Sequence, residues 1–247
     1  LRQMDPVDFI YLDPARRDEH GSRTYAIEDC TPNVLELRDL LLAKSQCTLV
    51  KLSPMLDWRK AVADFDGTVR EVHIVATGNE CKELLLVLGQ QVHEEPSAPR
   101  VFCVNDNQRI DYDSAAYTQG LRIGGKPLPE AKNYLYEPNA SIMKAGCFDL
   151  VEERFGVTQV GPSSHLFVSA TPVADFPGRG FAIEEIGGMN KKDIKRLLNG
   201  TKQANIAVRN FPLTAPQLRK KLKLADGGPV YLFGTTIQGC DHVLLRT

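Results

Sequence analysis

The sequence predicts an α/β protein, in which a mostly parallel sheet that ends in an antiparallel pair is followed by two small α+β domains. Three observations indicate this fold. Strand-like apolar runs alternate with helical patterns over the first ninety residues, two strands near residue 80 are joined by a very short link, and shorter mixed elements begin near residue 97. We therefore expect domains at residues 1–96, 97–186 and 187–247.

The first domain is expected to begin with a buried strand. Residues 7–12, VDFIYL, form a short apolar run of the kind that is buried in a parallel sheet. Thr31 is expected to cap a helix with Pro32 at its first position, because apolar residues repeat at helical spacing behind them. A second strand and a second helix are predicted to follow at residues 47–53 and 55–65.

Two further strands, residues 69–77 and 82–89, lie on either side of the four-residue segment GNEC. So short a link allows only an antiparallel hairpin, because a parallel pair needs a crossover of a dozen or more residues. The predicted order is therefore strand, helix, strand, helix and an antiparallel pair.

The later domains are expected to contain short helices and strands. In the second domain, a helix is predicted at residues 147–156 and strands at residues 165–173 and 179–186. In the third, Asn190 and Thr214 are expected to cap helices, the second of which ends at Gly227-Gly228. Strands are predicted around these helices at residues 203–210, 229–236 and 242–247.

Charge is distributed unevenly along the chain. The net charge of all 247 residues is -1, yet residues 187–247 contain 11 Lys and Arg, three Asp and no Glu. This leaves +8 on the terminal domain and -9 on the rest of the chain. A small basic domain on an acidic body indicates an anionic partner, with nucleic acid as the first candidate. A solvated basic face is the alternative.

Composition also bears on location and metal binding. No run of about 18 apolar residues could span a bilayer, and the amino terminus lacks the layout of a secretory signal. We therefore expect a cytoplasmic protein that has no membrane partner. The six cysteines are scattered without a Cys-x-x-Cys pair and without histidines beside them, so no metal site is predicted.

Asp13 is the first candidate for chemistry, because it directly follows the first strand and ligands of doubly wound sheets bind outside the carboxyl ends of strands. Pro14 fixes the turn, the Asp13 carboxylate can orient or deprotonate a nucleophile, and Arg16 can hold a phosphate or a carboxylate. These three are the candidate catalytic residues. A charged turn is the alternative, since Asp-Pro commonly opens turns.

Two other polar segments have both a functional and a structural interpretation. Glu137, Asn139 and Lys144 lie in EPNASIMKAG, which can form a polar site or start a helix that Asn139 caps. Arg179 lies between two glycines, where it can contact an anion or belong to a turn that leads into a strand.

Four longer strings carry a family resemblance, namely YLYEPNASIMKAG (134–146), FPGRGFAIEE (176–185), ANIAVRNFP (204–212) and LRKKLKLADGGPVYLFGTT (218–236). They resemble a bacterial family of S-adenosylmethionine-dependent methyltransferase-like proteins with a ferredoxin-like middle domain and a THUMP-like terminal domain. The resemblance implies that the first domain is the carboxyl-terminal half of a Rossmann-like class I methyltransferase sheet, whose last strand is inserted antiparallel.

The resemblance also concerns Asp13. YLDPAR is similar to the fourth motif of class I methyltransferases, in which Asp or Asn is followed by two prolines and an aromatic residue that stacks on the target base. Ala15 and Arg16 replace the last two, which argues against base stacking. Enzymes that methylate uridine at carbon 5 share Asp-Pro-Ala-Arg, but they need a nucleophilic cysteine where this chain has Ser53 and Pro54.

RNA is the partner that the resemblance implies, because THUMP domains bind structured RNA; transfer RNA and ribosomal RNA are both candidates. The basic side chains of the terminal domain are the expected phosphate contacts. They are Lys191, Lys192, Lys195, Arg196, Arg209, Arg219, Lys220, Lys221 and Lys223.

The implied cofactor is S-adenosylmethionine, but the glycine-rich loop that holds it in this family lies upstream of the fourth motif. Only twelve residues precede Asp13, so we expect this chain to be the carboxyl-terminal part of a longer RNA methyltransferase and to be inactive alone. A non-catalytic RNA-binding module and a module for an acidic protein are the alternatives. An exposed sheet edge in such a piece would also allow a homodimer.

Overall fold

Backbone hydrogen bonds build sheets of six, four and four strands in the part of the chain that the structure describes. The structure is a computed structural model, and it describes residues 1–15, 27–28, 30–89, 98–116, 133–239 and 241–247. These residues divide into two compact units. The first comprises residues up to 116 and Asn139–Gly146, and the second comprises residues 133–138 and Cys147–Thr247. No helix in the described ranges is long and apolar enough to cross a membrane.

The first unit contains a six-stranded mixed sheet with helices packed on it. Its elements are β1 (Val7–Leu12), α1 (Val34–Lys44), β2 (Ser45–Leu52), α2 (Trp58–Asp64), β3 (Val69–Thr77), β4 (Glu80–Leu88), β5 (Arg100–Asn105), β6 (Gln108–Asp113) and α3 (Ala140–Ala145).

The topology of this sheet confirms the predicted fold class. The strand order is β1-β2-β4-β3-β5-β6, in which β1 and β2 are parallel and β4 is antiparallel to both of its neighbours. The antiparallel strand is thus inserted between β2 and β3, as expected for this half of a class I methyltransferase sheet. The hairpin between β3 and β4 turns at Gly78 and Asn79, whose φ angles of 56° and 61° suit a tight two-residue turn.

β5 and β6 lie beyond the expected domain boundary at residue 96, yet they hydrogen-bond into the first sheet. β5 is parallel to β3, and β6 is antiparallel to β5. Val101 and Cys103 of β5 stand opposite Val72 and Ile74 of β3, and all four side chains are buried. The first sheet therefore extends to residue 113, because its buried face continues across these two strands.

Helix α1 begins two residues later than the sequence predicts. Its N-cap is Asn33, whose side chain accepts a hydrogen bond from the Leu35 amide at 3.1 Å. Pro32 lies before the cap, in a cis peptide bond with Thr31, so it is not the first helical residue. The prediction was wrong because Thr and Asn are both good caps, and propensity alone does not choose between neighbouring candidates.

Helix α3 confirms that EPNASIMKAG starts a helix. Asn139 caps it by accepting hydrogen bonds from the amides of Ser141 and Ile142 at 3.1 and 3.2 Å. The helix packs on β3, β4 and β5. The indole nitrogen of the buried Trp58 in α2 donates to the carbonyl oxygen of Ala145 at 3.3 Å, so α2 and α3 are neighbours in the core of the first unit.

β1 is an edge strand, and it is exposed where its apolar sequence predicts burial. Phe9 and Tyr11 are 53% and 54% exposed, and Val7 is 38% exposed. These residues alternate along the strand and therefore share one face. The prediction was wrong because a short apolar run does not reveal whether anything packs against each face of its strand.

The second unit contains two four-stranded sheets. Its elements are β7 (Tyr134–Pro138), α4 (Phe148–Phe155), β8 (Thr158–Gln159), β9 (Phe167–Ser169), β10 (Gly178–Ala182), β11 (Glu185–Gly187), α5 (Lys191–Leu198), β12 (Asn205–Arg209), α6 (Ala215–Leu222), β13 (Tyr231–Thr236) and β14 (His242–Arg246). The β7 sheet has the order β10-β7-β9-β8, and the β13 sheet has the order β11-β14-β13-β12.

Residues 179–186, predicted as one strand, contribute to two strands in different sheets. β10 is antiparallel to β7, whereas β11 is antiparallel to β14. Glu184 and Glu185 interrupt the apolar residues of this segment, but no proline or glycine between Phe181 and Ile186 marks the change of sheet.

The two sheets of the second unit share one apolar core, and the helices cover the other face of the β13 sheet. Leu135 of β7 and Phe233 of β13 belong to the shared cluster. Leu232, whose side chain points the opposite way, packs instead with Leu197 of α5 and Leu218 of α6. Helices α5 and α6 therefore lie on the same face of the β13 sheet, opposite the shared core.

Helices α5 and α6 begin at the predicted caps, Asn190 and Thr214. Helix α6 ends at Leu222 rather than at the predicted glycine pair. Lys223 adopts the left-handed conformation there, with φ 56°, and its amide donates to carbonyl groups of the last turn.

Candidate functional site

The carboxyl end of β1 holds the first candidate site. The Asp13 side chain is 45% exposed, whereas Pro14 is buried. Ala15 and Thr31 exchange two backbone hydrogen bonds of 2.8 and 3.0 Å, which anchor the turn that follows the strand. Arg16, the third predicted catalytic residue, lies outside the described residues.

A lysine from the neighbouring strand binds Asp13. Lys51 Nζ lies 2.8 Å from Asp13 Oδ2 and 3.7 Å from Glu83 Oε1. The hydrogen bond to Asp13 raises the pKa of Lys51, and the charge of Glu83 acts in the same direction. Sequence reasoning missed Lys51, because its position beside Asp13 depends on the parallel register that pairs Leu12 with Val50.

This arrangement makes Asp13 suited to accept a hydrogen bond. Lys51 occupies Oδ2, and no described residue donates to Oδ1. An N–H or O–H group of a substrate could therefore donate to Oδ1 while Lys51 keeps the carboxylate oriented. Ser53, at the position that would need a nucleophilic cysteine for uridine chemistry, is buried and accepts a hydrogen bond from the Met55 amide at 3.3 Å.

The described residues do not fit the expected cofactor cradle. The turn after β1 opens with Asp13-Pro14 and the turn after β2 with Ser53-Pro54, so neither described turn is a glycine-rich loop between a strand and a helix. No cofactor contact is assigned to these residues. Within the same ranges, no group of three His, Cys, Asp or Glu side chains could hold a metal ion.

Six exposed lysines form the second candidate site, which we call the lysine surface. None of them has a carboxylate ion-pair partner among the described residues. Because α5 and α6 lie on the same face of the β13 sheet, six positive charges gather on one side of the second unit. The lysine surface comprises Lys191, Lys192 and Lys195 on α5, Lys220 and Lys221 on α6, and Lys223 directly after it.

The three arginines among the expected phosphate contacts differ from these lysines, because each is ion-paired within the protein. Their guanidinium groups are therefore partly occupied by carboxylates. Arg196 pairs with Asp193, Arg219 with Asp226, and Arg209 with Glu137.

A buried carboxylate joins Arg209 to a further arginine, Arg179, in what we call the Glu137 cluster, made of Glu137, Arg179 and Arg209. Glu137 is 4% exposed. Its Oε1 accepts a hydrogen bond from Arg209 Nη2 at 2.8 Å, and its Oε2 accepts one from Arg179 Nη2. Arg179 stands directly opposite Glu137 in the β7–β10 register, whereas Arg209 ends β12. The glutamate thus links the β7 sheet to the β13 sheet.

His165 lies within the electrostatic reach of this cluster. Burial and, to a lesser extent, the positive charge of Arg209 lower the pKa of His165. Its ring stacks on Phe148 with the centroids 4.3 Å apart, and its Nδ1 is buried without a hydrogen-bond partner among the described residues. Neither a motif nor a spacing in the sequence indicated this environment.

The chain is similar to two domain families and to one solved structure. Residues 134–177 match a ferredoxin-like domain, and residues 178–247 match a family described as THUMP domain-like. A crystal structure described as a "putative methyltransferase from Porphyromonas gingivalis W83" is 35% identical to the chain, with a TM-score of 0.84. That match covers 97% of this chain and 59% of the P. gingivalis chain. No curated protein sequence matches the chain.

Proposed function

The chain belongs to the methyltransferase-like proteins that carry a ferredoxin-like domain followed by a THUMP-like domain, and we propose that it is the RNA-binding part of an RNA methyltransferase. In this proposal, the lysine surface binds the phosphates of a structured RNA, and Asp13 faces the group that is methylated. S-adenosylmethionine supplies the methyl group. Since this chain spans only 59% of its solved relative, the cofactor-binding residues are assigned to a longer protein.

The proposal that the chain binds RNA is supported most directly by the positions of Lys191 and Lys192. Both lie in the first turn of α5, directly after its cap, where the helix dipole disfavours each positive charge by about 0.3–1 kcal/mol. Lys220 and Lys221 lie in the last turn of α6, where the dipole favours them. The pair on α5 therefore costs helix stability, which supports a role in binding an anion.

This difference between the two pairs gives a direct test. Lys191→Gln/Lys192→Gln should weaken RNA binding while stability stays equal or rises slightly, whereas Lys220→Gln/Lys221→Gln should weaken binding and lower stability. Fluorescence anisotropy with a structured RNA across a salt series, together with thermal melting, measures both effects. Each double substitution should reduce the slope of log affinity against log salt by roughly 1.5, as expected for about two lost phosphate contacts.

A matched control removes two lysines from the first unit. Lys60 and Lys82 are paired with Asp64 and Glu80, so Lys60→Gln/Lys82→Gln changes net charge equally without touching the lysine surface. RNA binding should then be unchanged. Equal losses from the control and the test pairs would contradict a specific role for the lysine surface, and affinity that is independent of salt would contradict phosphate binding.

The pairing of Asp13 with Lys51 favours a second candidate, a non-catalytic RNA-binding module on a methyltransferase-like scaffold. In this case, Asp13 Oδ2 binds Lys51 in an internal ion pair, and the turn after β1 has a structural role only. A longer protein that binds RNA but not the cofactor would support this candidate. A higher affinity for polyglutamate than for RNA would instead favour an acidic protein as the partner.

The exposed edge of β1 supports self-association of this chain. β1 pairs only with β2 among the described strands, and Phe9 and Tyr11 project from it into solvent. An unpaired strand edge with apolar side chains is a template for pairing with a second copy. We therefore propose that the isolated chain forms a homodimer through β1.

A further inference from the structure

We propose that Arg179 and Arg209 form a phosphate-binding site for the RNA that is separate from the lysine surface, and that Glu137 positions both arginines. This inference rests on the proposed RNA binding and adds a second contact to it. The Glu137 cluster lies on the core side of the β13 sheet, where Arg179 contacts Phe181 and Tyr231, whereas the lysine surface lies on the helices that cover the other side.

The cluster retains an unbalanced positive charge. Two arginines face one glutamate, which leaves a net charge of +1, and no second described carboxylate pairs with either arginine. Glu137 is almost fully buried, yet the side chains of Arg179 and Arg209 are 48% and 38% exposed. The positive groups therefore reach solvent while the negative group does not.

Both guanidinium groups also keep hydrogen-bond donors for a ligand. Arg179 donates to Glu137 through Nη2, and no described residue accepts from its Nη1 or Nε. Arg209 donates to Glu137 through Nη2 and has a long contact of 3.4 Å from Nη1 to the carbonyl oxygen of Val208. Since a guanidinium carries five N–H donors in a planar fork, each arginine can still bind a phosphate oxygen.

The arginines are held in place before any ligand arrives. Glu137 fixes one nitrogen of each, and the Arg179 guanidinium lies 5.5 Å from the Phe181 ring centroid and 5.6 Å from that of Tyr231. A cation above aromatic rings is attracted to their faces, and a side chain that is already ordered loses less entropy on binding. This geometry favours the tetrahedral, multiply accepting oxygens of a phosphate.

The first experiment tests the site without RNA. Inorganic phosphate and adenosine monophosphate are titrated into the ¹⁵N-labelled chain, and the Nε–Hε signals of the arginines are followed. Arg179 and Arg209 should shift together and saturably. Arg109 serves as the internal control, because it also lies over an aromatic ring, Phe102; Arg100 lies over the same ring, but no described carboxylate pairs with both of these arginines. Shifts that are equal at Arg109, or absent from Arg179 and Arg209, would overturn the proposal.

The second experiment tests the RNA contact. Arg179→Met should reduce the salt slope of RNA binding by about 0.7–0.9, the value of one phosphate contact, while Arg109→Met leaves it unchanged. If the wild-type chain binds no RNA, the proposed function fails, but the phosphate titration still decides whether the site exists. Displacement of phosphate by polyglutamate but not by RNA would overturn the assignment to RNA.

The Glu137→Gln variant tests whether Glu137 positions the two arginines or only changes the net charge of the cluster. The substitution raises the local net charge from +1 to +2, so binding should strengthen if charge alone matters. If Glu137 positions the arginines, binding should weaken severalfold, because one amide oxygen cannot accept from both guanidinium groups in the same geometry. Tighter binding by a folded Glu137→Gln variant, with folding checked by its amide spectrum, would overturn the positioning role.

Discussion

Individual side chains of this protein obtain their roles from partners that are distant in sequence. Asp13 binds Lys51, which is 38 residues away, and Glu137 binds Arg209, which is 72 residues away. Glu137 lies within the strand YLYEP and is nevertheless buried, because two guanidinium groups compensate for the loss of hydration of its charge. Its chemistry can be predicted from the sequence, but its burial and its partners cannot.

His165 should make the stability of the protein depend on pH. Because its pKa is lowered in the folded state, the unfolded chain takes up a proton at this residue at a higher pH, about 6.5, than the folded protein does. Protonation therefore favours unfolding, and the free energy of unfolding should decrease between about pH 7 and pH 5. Urea denaturation across this range measures the effect.

A non-titrating replacement isolates this contribution. His165→Gln should show a shallower loss of stability on acidification than the wild type, since the glutamine binds no proton in either state. His73→Gln is the matched control, because His73 also stacks on an aromatic ring but pairs with Glu71 near the surface. A wild-type pH dependence that persists in His165→Gln would show that other groups cause it.

The ends of the helices are determined by nearby side chains, whereas the pairing and burial of the strands depend on tertiary contacts. Asn190 and Thr214 cap helices as predicted, because a side-chain oxygen before a helical run needs only nearby amides. The division of residues 179–186 between two sheets has no such local cause. β1 shows the same limit, since its apolar sequence predicts a strand correctly but says nothing of which faces are covered.

The exposed edge of β1 leads to a prediction about association. Phe9→Lys should shift the isolated chain towards monomer, because a charge on the exposed face opposes edge-to-edge pairing. Sedimentation velocity over a range of concentrations measures the shift. Met55→Lys introduces the same charge at a residue that is 72% exposed and outside any strand, so it should leave association unchanged. A monomeric wild-type chain would contradict the prediction.

At the scale of the whole molecule, family boundaries and structural units do not coincide. The ferredoxin-like match covers residues 134–177, but Asn139–Gly146 within it belongs to the first unit, where α3 packs on β3, β4 and β5. The first unit therefore takes part of its core from a segment that follows most of its strands in sequence. A cut at the start of the ferredoxin-like domain would remove α3 from Trp58 and from the buried face of the sheet.

At this scale, we predict that S-adenosylmethionine binds to the longer protein and not to this chain alone. Isothermal titration of S-adenosylmethionine into this chain should give no binding heat, because its described turns lack a glycine-rich loop after a strand. The longer protein should bind the cofactor. Cofactor binding by this chain alone would contradict the assignment of these contacts to other residues, whereas no binding by the longer protein would support the non-catalytic module.

The sequence by itself determined the class of fold, most strands and helices, the antiparallel hairpin and the basic terminal domain, because periodicity, capping and charge are properties of neighbouring residues. It also indicated Asp13 and the lysines as candidates. Only the tertiary structure decided the addition of β5 and β6 to the first sheet, the exposure of β1, the pairing of Asp13 with Lys51 and the Glu137 cluster. Each of these depends on strand register and packing between distant segments, which are set by the burial of the whole chain and leave no local pattern in the sequence.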